Sequence, residues 1–339
     1  MVASCLPEPT GPHPVGTTSV YLDDVSRPDP WVTQASSREL MISVWYPTAS
    51  ATGRRAGYLT RAEAELMLSR GDVPIEPESL SSVRTNAFAD APPSGEPRGL
   101  PLVLLSPGFT RPRVTLTSIA EDLASHGYVA VAVDHTHENR AMTFPDGRLV
   151  GFTIGRKGRR DEEFWTKVVT GRAADVSFVV DQLLSSDPVW PGAALIDPDR
   201  IGMAGHSAGG AATIAAMLAD PRIRVGSDVD GSTHPLIPEH GLARPFLFLG
   251  RGDHYAPGDS PAADTWARDW PRLTGWKRWL VVDGAAHASF TDLGLLADQF
   301  GVAFGARAPG LRTMAITRTC LRALFDLHLR GEPRTLFDH

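Results

Sequence analysis

A chain of 339 residues, 42% of them hydrophobic, can bury a large core, and we read it as one α/β domain over 1–339 rather than two smaller ones. Its 33 Lys and Arg against 39 Asp and Glu give a formal charge of −6, and no long basic run occurs. That balance argues against a nucleic-acid partner.

In chain order, the start MVASCLPEPTGPHP lacks a basic region followed by an apolar one, and no later run is long and apolar enough to span a bilayer. No stable membrane insertion is expected, and a cytoplasmic location is. VASC, ending at Cys5, is similar to the tail of a lipoprotein signal, so a secreted or lipoprotein form stays open for a chain with more residues ahead of it. Cys5 and Cys320 sit in no metal-ligand spacing and make no disulfide framework. No metal and no cofactor are expected, and nothing in the residues sets an oligomeric state.

Residues 1–37 are polar and proline-broken, which predicts an arm on the surface. LMISVWY (40–46) alternates as a half-buried strand ended by Pro47. Residues 48–99 form a long insertion with one helical stretch, TRAEAELMLSR (60–70), and a loop-like end, DAPPSGEPRG; it is either a lid over a substrate pocket or a surface excursion. From residue 100 short apolar runs alternate with helical patterns. LVLLS (102–106) precedes a helix through SIAEDLASHG stopped by Gly127, then come YVAVAVD (128–134), a small hairpin in FPDGRLVGF turning on Asp146-Gly147, and a helix near 163–184. RIGMAG (200–205), a helix over 208–219, IRVGSDVD (223–230), PFLFLG (245–250), a Trp-rich helical segment, WKRWLVVDG (276–284) and a helix near 310–329 complete the chain. Six apolar strands joined by helices predict a doubly wound, mostly parallel sheet with helices on both faces, which places chemistry at the carboxyl ends of its strands. Trp266, Trp270, Trp276 and Trp279 are expected to pack a helix on that sheet rather than face lipid. Arg172 and Asp175, three apart on a helix, are close enough to pair locally, in a structural rather than a catalytic role.

RIGMAGHSAGG (200–210) sets Ser207 in G-x-S-x-G between a strand and an Ala-rich helix. A turn that sharp strains the backbone at the serine, and Gly205 and Gly209 remove side chains where helix and strand converge. The hydroxyl is then exposed at a helix N-terminus, where backbone N–H groups, above all that of Ala208, can stabilise an oxyanion. A serine needs a base to take its proton and a carboxylate to orient that base. His287, after WKRWLVVD and the small-residue loop GAA, is the best base; His254 is its rival. Asp230 ends one strand and Asp253 follows the next, and either gives the order Ser, Asp, His. Asp228 alternates with Asp230 along the strand, and one of the two is expected to point away into a structural hydrogen bond. His135 and His137 in DHTHE have no further ligand cluster beside them and are expected to line the site or pack under it.

VLLSPGFTRPRVTLTSIAEDLASHGYVAVAVDH, GHSAGG, DVDGSTHP and DGAAHASFTDL together resemble the platelet-activating-factor acetylhydrolase family of α/β-hydrolase serine esterases, especially bacterial relatives, over roughly 40–46 and 100–295. The resemblance implies an α/β-hydrolase fold with Ser207 as nucleophile, His287 as base and Asp230 as acid, and it adds the backbone N–H of Phe109 as second oxyanion donor. Pro107-Gly108 stands where many relatives carry His-Gly, which keeps the backbone donor. GRGDHYAP also looks like the acid loop of bacterial cutinases and polyester hydrolases, which keeps Asp253 as the alternative acid. The implied activity is carboxylic ester hydrolysis through an acyl-enzyme, on small-molecule ester or lipid substrates with short-to-medium acyl groups, of acetyl or oxidised-phospholipid type. A polyester hydrolase and a biosynthetic acyltransferase or thioesterase share these residues; a non-catalytic binding protein is disfavoured because no triad member is missing.

Overall fold

The computed structural model describes residues 4–69, 73–154, 160–258 and 260–338. Its first strand overturns the surface arm. Residues 15–24 form β1 (Val15–Asp24), paired antiparallel along its length with β2 (Arg38–Pro47), from Val15↔Pro47 to Asp24↔Arg38. VGTTSVYL carries enough β-branched and aromatic residues for a strand, and the Gly and Pro before it hid that pattern. With β1 outside it, β2 is interior and buried on both faces rather than half-buried: Leu40, Ile42 and Val44 enter one core cluster, Trp45 another.

The insertion is not structureless either. It contributes β3 (Arg55–Gly57), α1 (Arg61–Leu68), α2 (Pro77–Ser81) and β4 (Arg84–Ala89), and the two strands extend the sheet edge. Thr60 caps α1 in a reciprocal box with Glu63, which is why the helix starts there. Tyr58, Leu59, Ala64, Met67, Leu80 and Val83 pack against Leu295 and Leu296 near the far end of the chain. Arg70, the last residue of the predicted helix, lies outside the described residues, as do Val2 and Ala3 of the lipoprotein-like stretch.

The rest follows the predicted alternation. β5 (Leu100–Ser106), α3 (Thr117–Ser125), β6 (Val129–Asp134), the hairpin β7 (Met142–Thr143) and β8 (Leu149–Val150), and α4 (Glu162–Leu184) lead to β9 (Ile196–His206), α5 (Ala208–Ala219) and β10 (Ile223–Val229). β11 (Phe246–Arg251), α6 (Gly252–Tyr255), α7 (Pro261–Asp269), β12 (Lys277–Val282), α8 (Asp292–Phe300) and α9 (Gly310–Leu329) follow. Gly127 and Gly147 take the positive φ, +84° and +88°, that ending α3 and turning the hairpin require.

Among the described residues the main sheet has ten strands in the order β12-β11-β10-β9-β5-β6-β2-β1-β4-β3. The first six are parallel neighbours, and their near-continuous Val, Leu, Ile and Ala runs suit burial on both faces. α4 and α5 cover one face through Val169, Val176, Val180 and Ile214; α3 and α9 cover the other through Ile119, Leu123, Leu324 and Phe325. The Trp-rich segment is core: Trp266 is fully buried, stacks on Tyr255 (4.0 Å) and Phe248 (4.5 Å), and donates its indole N–H to Gly231 O at 2.6 Å. Among the described residues no helix is long and apolar enough to cross a membrane.

Candidate active site

The elbow is built by exclusion of side chains. A Cβ on Gly205 would lie 2.1 Å from the Gly209 carbonyl carbon, and one on Gly209 would lie 2.0 Å from Ser106 O. With only hydrogens there, β9 runs into α5 at one residue, and Ser207 takes φ +56° and ψ −122°. Its N–H donates to Val229 O at 2.8 Å, which ties the turn to β10. Gly210 is required by a different neighbour: its Cβ would strike Asp228 Oδ1 at 2.0 Å. That oxygen accepts the Gly231 N–H at 2.9 Å, and burial pushes the Asp228 carboxyl well up, so of the two aspartates it is Asp228 that turns into a structural hydrogen bond.

Register brings Asp230 to the serine. His206 pairs with Val229, so the next residues, Ser207 and Asp230, leave adjacent strands side by side. The Nδ1–H of His287 donates to Asp230 Oδ2 at 2.5 Å, and His287 Nε2 lies 3.0 Å from Ser207 Oγ, placed to accept its proton. Burial pushes the Asp230 carboxyl up, but the His287 hydrogen bond and charge and the Arg251 guanidinium outweigh it and hold the group below its ordinary range. Arg251 donates twice, N–H to Oδ1 at 2.9 Å and Nε to Oδ2 at 3.1 Å. Asp253 is exposed on α6, and His254 is half-buried beside it. His287 is 45% exposed, so a substrate can approach it.

His206, inside the elbow, escaped sequence reasoning. Its Nε2–H donates to the backbone O of His287 at 2.7 Å, and the two rings stand 4.5 Å apart. Burial, then the His287 charge, lowers its pKa to about 3, so it is a neutral donor holding the other histidine's main chain. Among the described residues, His206, Asp230 and His287 are the one grouping with metal-ligand spacing, and hydrogen bonds already join all three.

Opposite the elbow runs the turn Ser106–Arg111, closed by the Arg111 N–H on Gly108 O at 3.0 Å, with Thr110 at φ +67°. A Cβ on Gly108 would lie 3.3 Å from Ser207 Cβ, so the turn and Ser207 are in contact. Among the described residues the N–H groups of Phe109 and Ala208 donate to no protein acceptor. Underneath lies a buried ionic network that the expected Arg172–Asp175 pair misjudged. Arg172 instead donates to Pro107 O, to Ser106 Oγ at 3.3 Å and to Glu138 at 2.7 Å. Asp175 receives Arg38 at 2.9 Å, Arg27 at 2.5 Å and the Nδ1–H of His135 at 2.8 Å. His135, kept neutral by burial and by Arg172, accepts the Ser106 hydroxyl at Nε2 over 2.9 Å. It packs under the site, as expected, while His137 lies 3.9 Å from Asp29. Above the turn, the Phe109 ring meets Phe152, Phe164 and Trp165 edge-on at 5.2 to 5.8 Å, and Trp165 stacks on His234.

The arrangement provides a hydroxyl, an imidazole and a carboxylate in line, two free N–H groups close by, and an aromatic wall. Comparison with known proteins sets the chain among esterases. The sequence model of the family described as platelet-activating factor acetylhydrolase, isoform II, matches residues 2–148 and 193–308. The chain is 28% identical over 318 residues to the probable 1-alkyl-2-acetylglycerophosphocholine esterase of Arthroderma benhamiae, covering 88% of this chain and 78% of that one. To the platelet-activating factor acetylhydrolase of Bos taurus it is 28% identical over 174 residues, 44% of this chain and 39% of the bovine protein, so it spans less than half of that relative. Among solved structures, the ferulic acid esterase of Streptomyces cinnamoneus matches with a TM-score of 0.88 and 38% identity over 100% of this chain and 96% of that one. The chain has the α/β-hydrolase fold.

Proposed function

The chain belongs to the platelet-activating factor acetylhydrolase isoform II family and is a serine carboxylic ester hydrolase, and from that premise we propose that Ser207, His287 and Asp230 are its catalytic triad. Ser207 Oγ attacks the ester carbonyl while His287 Nε2 takes its proton. The N–H groups of Ala208 and Phe109 hold the negative oxygen of the tetrahedral intermediate. Collapse breaks the C–O bond, His287 returns its proton to the departing alkoxide, and the acyl group stays on Ser207. Water, deprotonated by the same imidazole, attacks the acyl-enzyme, and the carboxylic acid leaves. Asp230 keeps Nδ1 protonated and stabilises the imidazolium. The observation that carries this reading is the unbroken pair of hydrogen bonds, 3.0 Å from His287 to Ser207 and 2.5 Å from His287 to Asp230.

Short and medium acyl esters are the first substrate class, by family. A second class, esters of planar aromatic acids, is favoured by the wall of Phe109, Phe152, Phe164 and Trp165 beside the Phe109 N–H, and by the name of the ferulic acid esterase. One experiment tests both. Turnover of p-nitrophenyl esters from acetate to palmitate and of methyl ferulate is measured before and after treatment with an organophosphate. Covalent labelling at Ser207 with parallel loss of activity is expected; turnover surviving full labelling rejects the triad. A kcat/KM for methyl ferulate far below that of every aliphatic ester rejects the aromatic class.

A further inference from the structure

Buried arginines around the site are matched to carboxylates, with one departure. Arg38 meets Asp29 at 2.7 Å and Asp175 at 2.9 Å, Arg172 meets Glu138 at 2.7 Å, and Arg113 meets Asp134. Arg111, two residues before Arg113, makes no ion pair and no side-chain hydrogen bond with any described residue. It is half-buried, and burial, then the charge of Arg140, pushes its guanidinium down from its ordinary range. A partly desolvated cation without a counter-charge is unfavourable, and folding alone gives no reason to keep one there.

Its position supplies a reason. The Arg111 Cγ lies 3.5 Å from the point a Gly108 Cβ would occupy, and the same point is 3.3 Å from Ser207 Cβ and 3.0 Å from His206 Nδ1. The side chain therefore leaves the Gly108 turn on the face that meets the nucleophile, and its charge is felt at the His206 ring. The backbone bond from Arg111 N to Gly108 O fixes the root of this side chain beside Ser207. A guanidinium presents its donors as a planar fork that fits carboxylate or phosphate oxygens two at a time.

We propose that Arg111 is an anion subsite of this esterase, and that its preferred substrates carry a carboxylate or phosphate within a few bonds of the scissile ester. This rests on Ser207 being the nucleophile. The reaction is unchanged; the anion orients the ester by pairing with Arg111 and leaves with whichever product bears it.

Two matched pairs test it, with released acid followed by titration: phenyl acetate against 3-acetoxybenzoate for carboxylate, and glycerol monoacetate against acetyl-glycerol 3-phosphate for phosphate. The quantity read is the kcat/KM ratio, anionic over neutral. Wild type is expected to exceed one in at least one pair, and the arm that does so identifies the anion. Arg111→Gln is expected to lower that ratio by about 10- to 100-fold, the range of one charge-assisted contact, with Arg111→Lys in between. Inorganic phosphate should also inhibit phenyl acetate turnover more strongly in wild type than in Arg111→Lys. A wild-type ratio of one or less in both arms, or the same ratio in wild type and Arg111→Gln, overturns the proposal; should Arg111→Gln fail to fold, the Arg111→Lys ratio and phosphate inhibition decide. Ser207→Ala separates the two readings. Full activity in that variant removes the triad, whereas an inactive Ser207→Ala beside unchanged ratios removes only the anion subsite.

Discussion

The nucleophile elbow and the Ser106–Arg111 turn face each other in contact, and different forces hold them. On the elbow side, order comes from close approach: Gly205 against Gly209, Gly209 against Ser106 O, with Asp230 brought in by strand register. On the turn side it comes from charge. Arg172 grips Pro107 O, Glu138 grips Arg172, and the Ser106 hydroxyl ends a chain through His135 to Asp175, Arg38 and Arg27. Glu138 serves both ways, since its backbone O also accepts the Thr110 N–H at 2.8 Å and holds that residue's positive φ. Steric order is local and tolerates no added atoms; ionic order spans the chain and tolerates no lost partner.

Each wall breaks differently. Ser207→Ala removes the proposed nucleophile and is expected to lower kcat by about 10⁶-fold in a steady-state ester assay with the melting temperature nearly unchanged. Asp230→Asn should cost about 10⁴-fold, and Asp253→Asn, on its exposed helix, should stay near wild type; the reverse pattern would make the neighbouring strand end the acid. Arg172→Met leaves Glu138 Oε2 and the Pro107 carbonyl without their donor, although Trp31 still donates to Glu138 Oε1. Because Phe109 follows Pro107 by two residues, kcat is expected to fall about 10²- to 10³-fold with little change in KM, a split that general loosening of the fold would not give. Gly209→Ala should instead lower stability by about 3 kcal/mol in denaturant melts, because its methyl has no room beside Ser106 O.

The smallest effect is expected outside both walls. Asp292 begins α8 just beyond His287, accepts the Ser118 N–H at 3.2 Å, and is pushed up to about 7 by burial. Its folded pKa lies above the unfolded one, so the folded state holds the extra proton between about pH 4 and 7 and stability falls as pH rises through that window. Asp292→Asn should therefore gain on wild type from pH 5 to pH 8, by on the order of 2 kcal/mol. An advantage that stays flat across that range would show that the buried carboxyl is not the titrating group.

Much of the parallel half was legible because its signals are local. β5, β6, β9, β10, β11 and β12 are short apolar runs, α4, α5 and α9 begin and end close to their predicted limits, and G-x-S-x-G announces its own turn. Before the structure, Asp230 and Asp253 were separable only by family resemblance, since both follow strand ends; the His206↔Val229 register is what sets Asp230 beside Ser207. β1 and the insertion's strands were missed because half-polar strands toward the edge of a sheet depend on partners elsewhere in the chain for their burial. Arg172 and Asp175 were paired with each other because sequence distance was the one distance visible; in space their partners lie 34 to 148 residues away.

The sequence by itself determined the alternation of strands and helices, the strained serine and the order Ser, Asp, His, because hydrophobic period and glycine spacing act over a few residues. Only the tertiary structure decided which carboxylate faces His287, what holds the Pro107 carbonyl, and which arginine beside Ser207 has no partner among the described residues. Those are questions of charge and distance, and they are answered only when the folded chain brings remote residues to within a few ångströms of one another.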